Sequence, residues 1–235
     1  MKRLLTAALL LFTTATVAQQ APSIDLLGDC IHHWYLEHEP GSCPRYDESD
    51  YRSIADNILA YQNKDGGWPK NIDWLGIMDA DSVIQSLTPR YRESTFDNRN
   101  IYPQVEYLSE VYHLTGERRY MKAAKRGVEY MLKNQYPNGS WIGWHDEAIC
   151  YNDDIITGIL NTWQDVMHDR PCYGWIDKKT RERIATSFDK GLQLILATQY
   201  VQNGMKTVWA QQYDQQTLRP VKARTYELPA LSGQE

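Results

Sequence analysis

Apolar residues recur with the period of an amphipathic helix in five stretches of the chain. In the clearest of them, Tyr120, Ala124 and Val128 lie on a single helical face. No stretch of useful length alternates with a period of two, so the pattern predicts an all-α protein. The predicted helices are 50–62, 103–114, 117–134, 154–167 and 178–199, while residues 19–49 and 70–100 are predicted to be irregular.

A second pattern repeats on a larger scale. Three predicted helices run into a glutamine, then a polar turn containing glycine, then a tryptophan, at Trp68, Trp141 and Trp209. These tryptophans are 73 and 68 residues apart, which is about the length of two helices with their connections. A repeat of this length predicts a ring or stack of helical hairpins, with the polar clusters that follow each turn on a common face.

The beginning of the chain has the features of a secretory signal peptide. Lys2 and Arg3 precede a mostly apolar stretch, and small residues end it at Ala18. No other long apolar segment follows, so we expect a secreted or periplasmic protein without membrane contact after signal cleavage. The predicted organisation is a signal peptide at 1–18, an N-terminal extension at 19–49 and a helical domain at 50–235.

Charge and composition narrow the possible ligands. The formal net charge is −5, and it becomes −7 when Lys2 and Arg3 leave with the signal peptide. An acidic chain without a basic stripe excludes a nucleic-acid partner. The 16 tyrosines and 8 tryptophans, against 3 phenylalanines, carry hydrogen-bonding tips that suit a sugar-binding cleft or, equally, packing between helices. We expect the protein to be a monomer.

Four cysteines remain in the exported chain, where disulfides are able to form. We favour the local pairs Cys30–Cys43 and Cys150–Cys172, although the sequence leaves the other two pairings open. The cysteine spacing does not fit a zinc site.

Two clusters of oxygen-bearing side chains precede predicted helices, at 95–98 and 151–154. Such residues are ordinarily helix N-caps. Each cluster, however, offers more than the one residue that a cap requires, and both follow equivalent turns of the repeat. If the clusters converge, their carboxylate and amide oxygens form a site for calcium. The predicted metal ligands are Asp97, Asn98, Asp153 and Asp154.

Two basic residues are candidates for binding an acidic ligand. Arg224 follows the third turn, where its guanidinium is able to bind a carboxylate in two places, unless it forms an ordinary surface pair with Glu227. Lys70 follows the first turn and is either a second cation for the ligand or a solvated loop residue.

These segments together resemble polysaccharide lyase family 10, the pectate lyases with an (α/α) toroid. The match is collinear from about residue 50 onward, and the segment 223–233 (ARTYELPALSG) is its most specific part. The matching segments are 61–71, 95–98, 134–139, 151–154, 208–211 and 223–233.

The resemblance implies calcium-assisted anti-β-elimination of polygalacturonate, the polymer of pectin, by a catalytic domain at 50–235. It places calcium among the four metal ligands predicted above. Arg224 is the candidate catalytic residue and binds the uronate groups of the substrate. The residues implied to bind substrate are Lys70, Trp68, Asp97 and Tyr226.

The chain departs from the family pattern in several places. Bulkier residues at 99–103 replace the usual small ones, and the second turn and the segment 208–214 also differ. The family's catalytic arginine and last helices would follow Glu235, so we expect a toroid that is incomplete at its C-terminus. Such a chain would keep much of the metal and substrate site, lack its base and form no unsaturated product.

Two other function classes compete with this prediction. Asp97 and Asp153 would be the acid and base of an (α/α) glycoside hydrolase, which releases reducing ends without a new double bond. A non-catalytic protein would bind acidic polysaccharide in the presence of calcium and release no product.

Overall fold

The computed structural model describes residues 21–144, 148–222 and Pro229. All five predicted helices are present, each within two residues of its expected bounds. Within the described residues, no helix is both long and apolar enough to span a bilayer. The α-helices are α1 (Gly28–Trp34), α2 (Tyr51–Ala60), α3 (Ala80–Ser86), α4 (Tyr102–Thr115), α5 (Arg118–Lys133), α6 (Ile155–Met167) and α7 (Lys178–Thr198), with 3-10 turns at Ile24–Leu27, Arg90–Arg92, Asn152–Asp154 and Pro171–Tyr173.

Four strands of two residues each form two small antiparallel sheets. One sheet pairs β1 (Ile149–Cys150) with β4 (Gln212–Tyr213), and the other pairs β2 (Val201–Gln202) with β3 (Met205–Lys206). The β1–β4 sheet joins the segment before α6 to the segment after α7. These strands are connections between helices, so the all-α prediction is confirmed.

The long helices form hairpins that stack in two layers. The two-residue connection at Gly116 makes α4 and α5 antiparallel neighbours, and α6 and α7 form the next hairpin. Stacking places α2, α5 and α7 in one layer and α4 and α6 in the other. The apolar faces that the sequence predicted meet in a continuous core between these layers.

Glutamines at the repeated turns connect the hairpins. The Gln62 side chain donates hydrogen bonds to the carbonyl of Gly66 in its own turn (2.8 Å) and to that of Ala123 in α5 (2.9 Å). Gln135 does the same with Gly139 (3.0 Å) and with Ser187 in α7 (2.9 Å). We call these two side chains the glutamine latches, because each ties a turn to the next helix of its layer.

The tryptophans of the repeat also occupy equivalent positions. The indole N–H groups of Trp68 and Trp141 donate to carbonyl groups ten residues earlier, at distances of 2.7 and 2.9 Å. Trp209 makes the corresponding bond to a carbonyl 14 residues earlier, since the third turn is longer and contains β2 and β3. The predicted internal repeat is therefore confirmed as a structural repeat.

The turn glycines are required by the backbone. Gly66 and Gly139 have φ values of +102° and +94°. A Cβ atom on Gly66 would lie 2.5 Å from the carbonyl oxygen of Arg126, and one on Gly139 would lie 2.3 Å from that of Lys190. Only glycine combines this conformation with so close an approach to the neighbouring helix.

The prediction of an irregular segment at 19–49 is wrong for its middle part. Residues 24–34 form a 3-10 turn followed by α1, and Leu27, Cys30 and Trp34 are buried in the main core. The apolar spacing was present, but α1 has only seven residues and is too short for a period to be recognised. The stretch at 70–100 likewise contains α3.

The predicted disulfides are absent, and all four cysteines are free thiols. Cys30 contacts the carbonyl of Asn98, whereas Cys150 accepts a bond from Gln212 in β4. Cys30 and Cys150 thus each contact a residue other than the cysteine predicted to pair with it. Burial raises the pKa of Cys30, Cys150 and Cys172 to about 12, so these thiols stay protonated at neutral pH.

Candidate functional site

The two oxygen-rich clusters converge at Asp97 and Asp153. These residues lie in the loops before α4 and α6, the two stacked helices of one layer. The carboxyl group of Asp153 lies close enough to that of Asp97 for the charge of Asp97 and hydrogen bonding with it to raise the pKa of Asp153, and the backbone N–H of Asn98 acts on the same carboxyl group. The stacking of the hairpins therefore brings together side chains that are far apart in the sequence.

The pKa of Asp153 reflects this arrangement. Burial, followed by the negative charge of Asp97 and the hydrogen bond with it, raises the pKa of Asp153 from 3.8 to about 6. The backbone N–H of Asn98 acts in the opposite direction but is weaker. A pair of carboxyl groups in this environment favours a bound proton or a bound cation.

Lys70 lies beside the carboxylate pair. Its side chain is almost completely buried, and its ammonium group forms an ion pair with Asp97. The same ammonium group is 4.3 Å from the ring centroid of Trp144 and 5.6 Å from that of Tyr91. The positive charge offsets one of the two carboxylates and leaves the charge of Asp153 uncompensated when both are ionised.

The backbone around the carboxylate pair is strained. Asn98 and Arg99 in the first loop, and Asp153 and Asp154 in the second, have φ values between 48° and 57°. Non-glycine residues seldom adopt this left-handed conformation, which concentrates at functional sites. Asn71, also left-handed with φ of 59°, accepts a hydrogen bond from the Asn98 side chain at 2.7 Å.

The carboxylates are not helix caps. No aspartate of these clusters accepts a hydrogen bond from the N-terminal backbone N–H groups of α4 or α6. Asp154 instead forms an ion pair with Arg99 at 2.6 Å, which ties the two strained loops together. Asp154 and Asp97 are therefore each paired with a cation, whereas Asp153 is in none of the ion pairs of the described residues.

A buried amide network holds the first loop in place. The Asn100 side chain donates to the carbonyls of Trp68 and Thr95, both at 2.8 Å. Gln104 in turn donates to Asn100 at 2.6 Å and accepts from the backbone of Ile101 at 2.7 Å. Because every bond in this network is buried, the loop that carries Asp97 is rigid.

Trp68 has a structural position. Its side chain is fully buried, and its indole N–H is bonded within the core. This corrects the prediction of a substrate contact for Trp68, because no part of the ring reaches the surface. The backbone carbonyl of Trp68 accepts a hydrogen bond from the Asn100 side chain. Trp68 therefore helps to position the loop that carries Asp97.

The third repeat also reaches the site. Gln211 donates to the Asn152 side chain at 2.7 Å, and its carbonyl accepts from the backbone of Tyr151 at 3.0 Å. The segments 151–154 and 208–211, both part of the sequence resemblance, are thus in contact. The predicted catalytic residue Arg224 and the predicted substrate-binding residue Tyr226 lie outside the described residues.

The donor set at the pair is suitable for a hard divalent cation. Within 21–144 and 148–222, no three His, Cys, Asp or Glu residues cluster as a metal site. Asp97 and Asp153 provide two carboxylates side by side, and the ion pairs of the described residues leave Asp153 without a cation. Calcium takes six to eight oxygen ligands, so amides, water and an acidic ligand would have to complete the sphere.

The chain matches the model of the pectic acid lyase family over residues 62–235. It therefore belongs to this family, as the sequence motifs predicted. A search of curated proteins finds no significant match.

Solved structures of a family 10 polysaccharide lyase from Cellvibrio cellulosa share the fold. One of them has a TM-score of 0.66 and 24% identity, and the alignment covers 92% of this chain and 64% of that one. A point mutant of the same lyase, in complex with trigalacturonic acid, gives the same score and identity with 91% and 64% coverage. The chain thus spans 64% of the length of these structures, and the (α/α) toroid prediction is confirmed.

Sequence reasoning overlooked several neighbours of the pair. Arg99 was noted only as a departure from the family, yet it binds Asp154 across the two loops. The sequence pattern also did not predict that Tyr91 and Trp144 contact Lys70, or that Arg90 stacks on Trp144. The basic and aromatic composition of TPRYR at 88–92 was the available signal.

Proposed function

We propose that the protein is a pectate lyase that cleaves polygalacturonate by calcium-assisted β-elimination. The observation that carries the proposal is the contact between Asp97 and Asp153 on strained loops, in a chain of the pectic acid lyase family. The trigalacturonic acid bound by the similar lyase supports an acidic sugar polymer as the ligand. Export, predicted from residues 1–18, is consistent with a substrate outside the cell.

β-Elimination removes the proton at C5 of a galacturonate and expels the glycosidic oxygen at C4. A bound calcium ion would neutralise the adjacent carboxylate and stabilise the negative charge that develops as the proton leaves. In this chain, Asp97 and Asp153 would hold the cation. The ion pair with Lys70 and the amide network of Asn100 and Gln104 would fix the position of Asp97.

The proton must be accepted by a base close to C5. Pectate lyases of this type are expected to use an arginine, and Arg224 is the candidate that this chain offers. Its role as the base is a proposal. It competes with the expectation that the family's catalytic arginine would follow Glu235, in which case this chain would form no unsaturated product.

The geometry disfavours a glycoside hydrolase. The acid and the base or nucleophile of these enzymes stand about 5 Å or more apart, on either side of the scissile bond. Asp97 and Asp153 lie close enough for hydrogen bonding between them to affect the pKa of Asp153, which is closer than such a pair of residues requires. The product assay below distinguishes a lyase from a protein that only binds the polysaccharide.

The test incubates the purified chain with polygalacturonate and calcium and follows the ultraviolet absorbance of the unsaturated product. Asp97→Asn and Asp153→Asn are compared with Asp189→Asn, an exposed aspartate on α7. A lyase with Arg224 as its base forms product that requires calcium and is lost in the first two variants only. This product would refute the expectation that the chain lacks its base. Retention on pectate without product would identify a non-catalytic chain, which is either a binder or a lyase that lacks its base. Reducing ends without absorbance would identify a hydrolase.

A further inference from the structure

Arg90 is held in one orientation close to the carboxylate pair. Its guanidinium lies 4.8 Å from the ring centroid of Trp144, and its Nη2 donates to the carbonyl of the same residue at 2.7 Å. The Trp144 ring is in turn packed against Tyr91, with centroids 5.2 Å apart. Because a stacked and bonded arginine is preorganised, it loses little conformational freedom when a ligand binds.

Trp144 connects Arg90 to the site. The ammonium group of Lys70 is 4.3 Å from the same ring centroid, so the two cations are no further apart than the sum of their distances from it. Lys70 is paired with Asp97, which neighbours Asp153. Arg90 therefore lies one aromatic ring away from the place where the proposed reaction occurs.

Arg90 also keeps its charge available. The side chain is exposed, and the ion pairs of the described residues join Lys70 and Arg99 to carboxylates but do not include Arg90. A guanidinium has five N–H donors, of which the bond to Trp144 uses one. Lys70, by contrast, is buried and already bound to Asp97, so it is poorly placed to bind a further carboxylate.

We propose that Arg90 binds a carboxylate of the uronic-acid polymer at a subsite next to the Asp97–Asp153 pair. Tyr91 and Trp144 hold the guanidinium in position, and its donors match the two oxygens of a carboxylate. This inference rests on the proposed function, since it requires an acidic polysaccharide in the site. It predicts that oligomers long enough to reach Arg90 bind more tightly than shorter ones.

The test measures calorimetric binding of oligogalacturonates of increasing length to the full chain in calcium. Arg90→Ala should weaken binding of the longer oligomers about tenfold, as expected for a lost charged hydrogen-bonding pair, and leave the shortest binding oligomer unchanged. Arg90→Lys should retain part of the affinity. The matched control is Arg118→Ala, which removes an exposed arginine at the opposite end of the α4–α5 hairpin and should change nothing.

The nature of the bound group is tested with methyl-esterified oligomers. Esterification removes the carboxylate charge, so Arg90→Ala and the wild type should bind these oligomers equally. The inference would be overturned if Arg90→Ala weakened the binding of acidic and esterified oligomers equally. It would also be overturned if Arg90→Ala had no effect on acidic oligomers that the wild type binds. Failure of the wild type to bind any acidic oligomer would instead reject the proposed function.

A second variant tests whether the Trp144 ring orients Arg90, and a stability measurement shows whether each variant still folds. Trp144→Ala keeps the charge of Arg90 but removes the ring that orients it, so a smaller loss of affinity with the same dependence on oligomer length is expected. Urea unfolding of each variant shows whether the folded fraction is unchanged. A Trp144→Ala loss that does not depend on length contradicts the orienting role.

Discussion

The ammonium group of Lys70 and the carboxylate of Asp97 form an ion pair whose side chains are only 6% and 14% exposed. Removing one partner of such a pair leaves the other charge buried without compensation. The pair also brings one positive charge into a site that otherwise holds two acidic groups. Loss of this ion pair should therefore lower the free energy of unfolding and increase the stabilisation that a bound cation provides.

We expect Lys70→Met to lower the free energy of unfolding by about 3 kcal/mol, within the range for a broken buried ion pair. Calcium should then stabilise the variant more than the wild type, because the carboxylates lack their internal cation. Urea unfolding with and without calcium measures both effects. Adding Asp97→Asn to Lys70→Met should recover part of the loss, and a loss below about 1 kcal/mol would indicate a solvated pair.

Asp153 should make the stability of the calcium-free protein depend on pH. The pKa in the folded state, about 6, lies above the ordinary value of 3.8. The stabilisation by the bound proton is therefore complete below 3.8 and disappears as the pH rises through 6.

Asp153→Asn removes this dependence. At pH 7.5 and without calcium, we expect the variant to be more stable than the wild type by about 1 kcal/mol, after allowance for partial exposure, or about 3 °C in Tm. At pH 3.5 the difference should vanish. Scanning calorimetry across this range measures the difference, and a variant that is less stable than the wild type at pH 7.5 would refute the prediction.

Each glutamine latch should contribute to stability through two partly buried hydrogen bonds. Gln62→Ala and Gln135→Ala should each lower the free energy of unfolding by about 2 kcal/mol, since two hydrogen bonds are lost and backbone acceptors are left unpaired. Gln164→Ala, on the exposed face of α6, is the control and should cost less than about 0.5 kcal/mol. Chemical denaturation measures the free energy of unfolding of the three variants. If Gln164→Ala lowers it as much as the other two, the latches do not connect the hairpins.

Gly158 in α6 lies against the ring of Tyr102 in α4. A Cβ atom there would lie 2.2 Å from the ring of Tyr102, so Gly158→Ala should force the helices apart and cost about 2 kcal/mol or more. Gly28→Ala is the matched control, because a Cβ at Gly28 meets no atom within 4 Å and the backbone is already helical. That variant should be unchanged or slightly more stable. Thermal unfolding of both variants is the measurement.

The sequence predicted the long helices and the repeat well, because both depend on local patterns. The apolar period of α5 and the glutamine, glycine and tryptophan of each turn are sufficient to define the hairpins. The short helix α1 was missed because seven residues do not establish a period. The disulfides were predicted from cysteine proximity in sequence, but the fold places Cys30 against Asn98 and Cys150 against Gln212.

The site was partly predictable for the same reason. Asp97 and Asp153 stood out as extra acidic residues after equivalent turns, and the repeat indicated that they would meet. The ion pair of Arg99 with Asp154 could not be anticipated, because it depends on the left-handed conformation of both residues. The burial of Trp68 was equally hidden, since a tryptophan after a turn fits a cleft as well as a core.

The glutamine latches have a consequence for how the molecule loses its structure. Each latch joins one turn only to the next helix in its layer, so damage at one turn weakens its immediate neighbour and little beyond it. Heating or denaturant should therefore open the protein section by section from an end, and amide hydrogen exchange along α2, α5 and α7 should fall into separate steps.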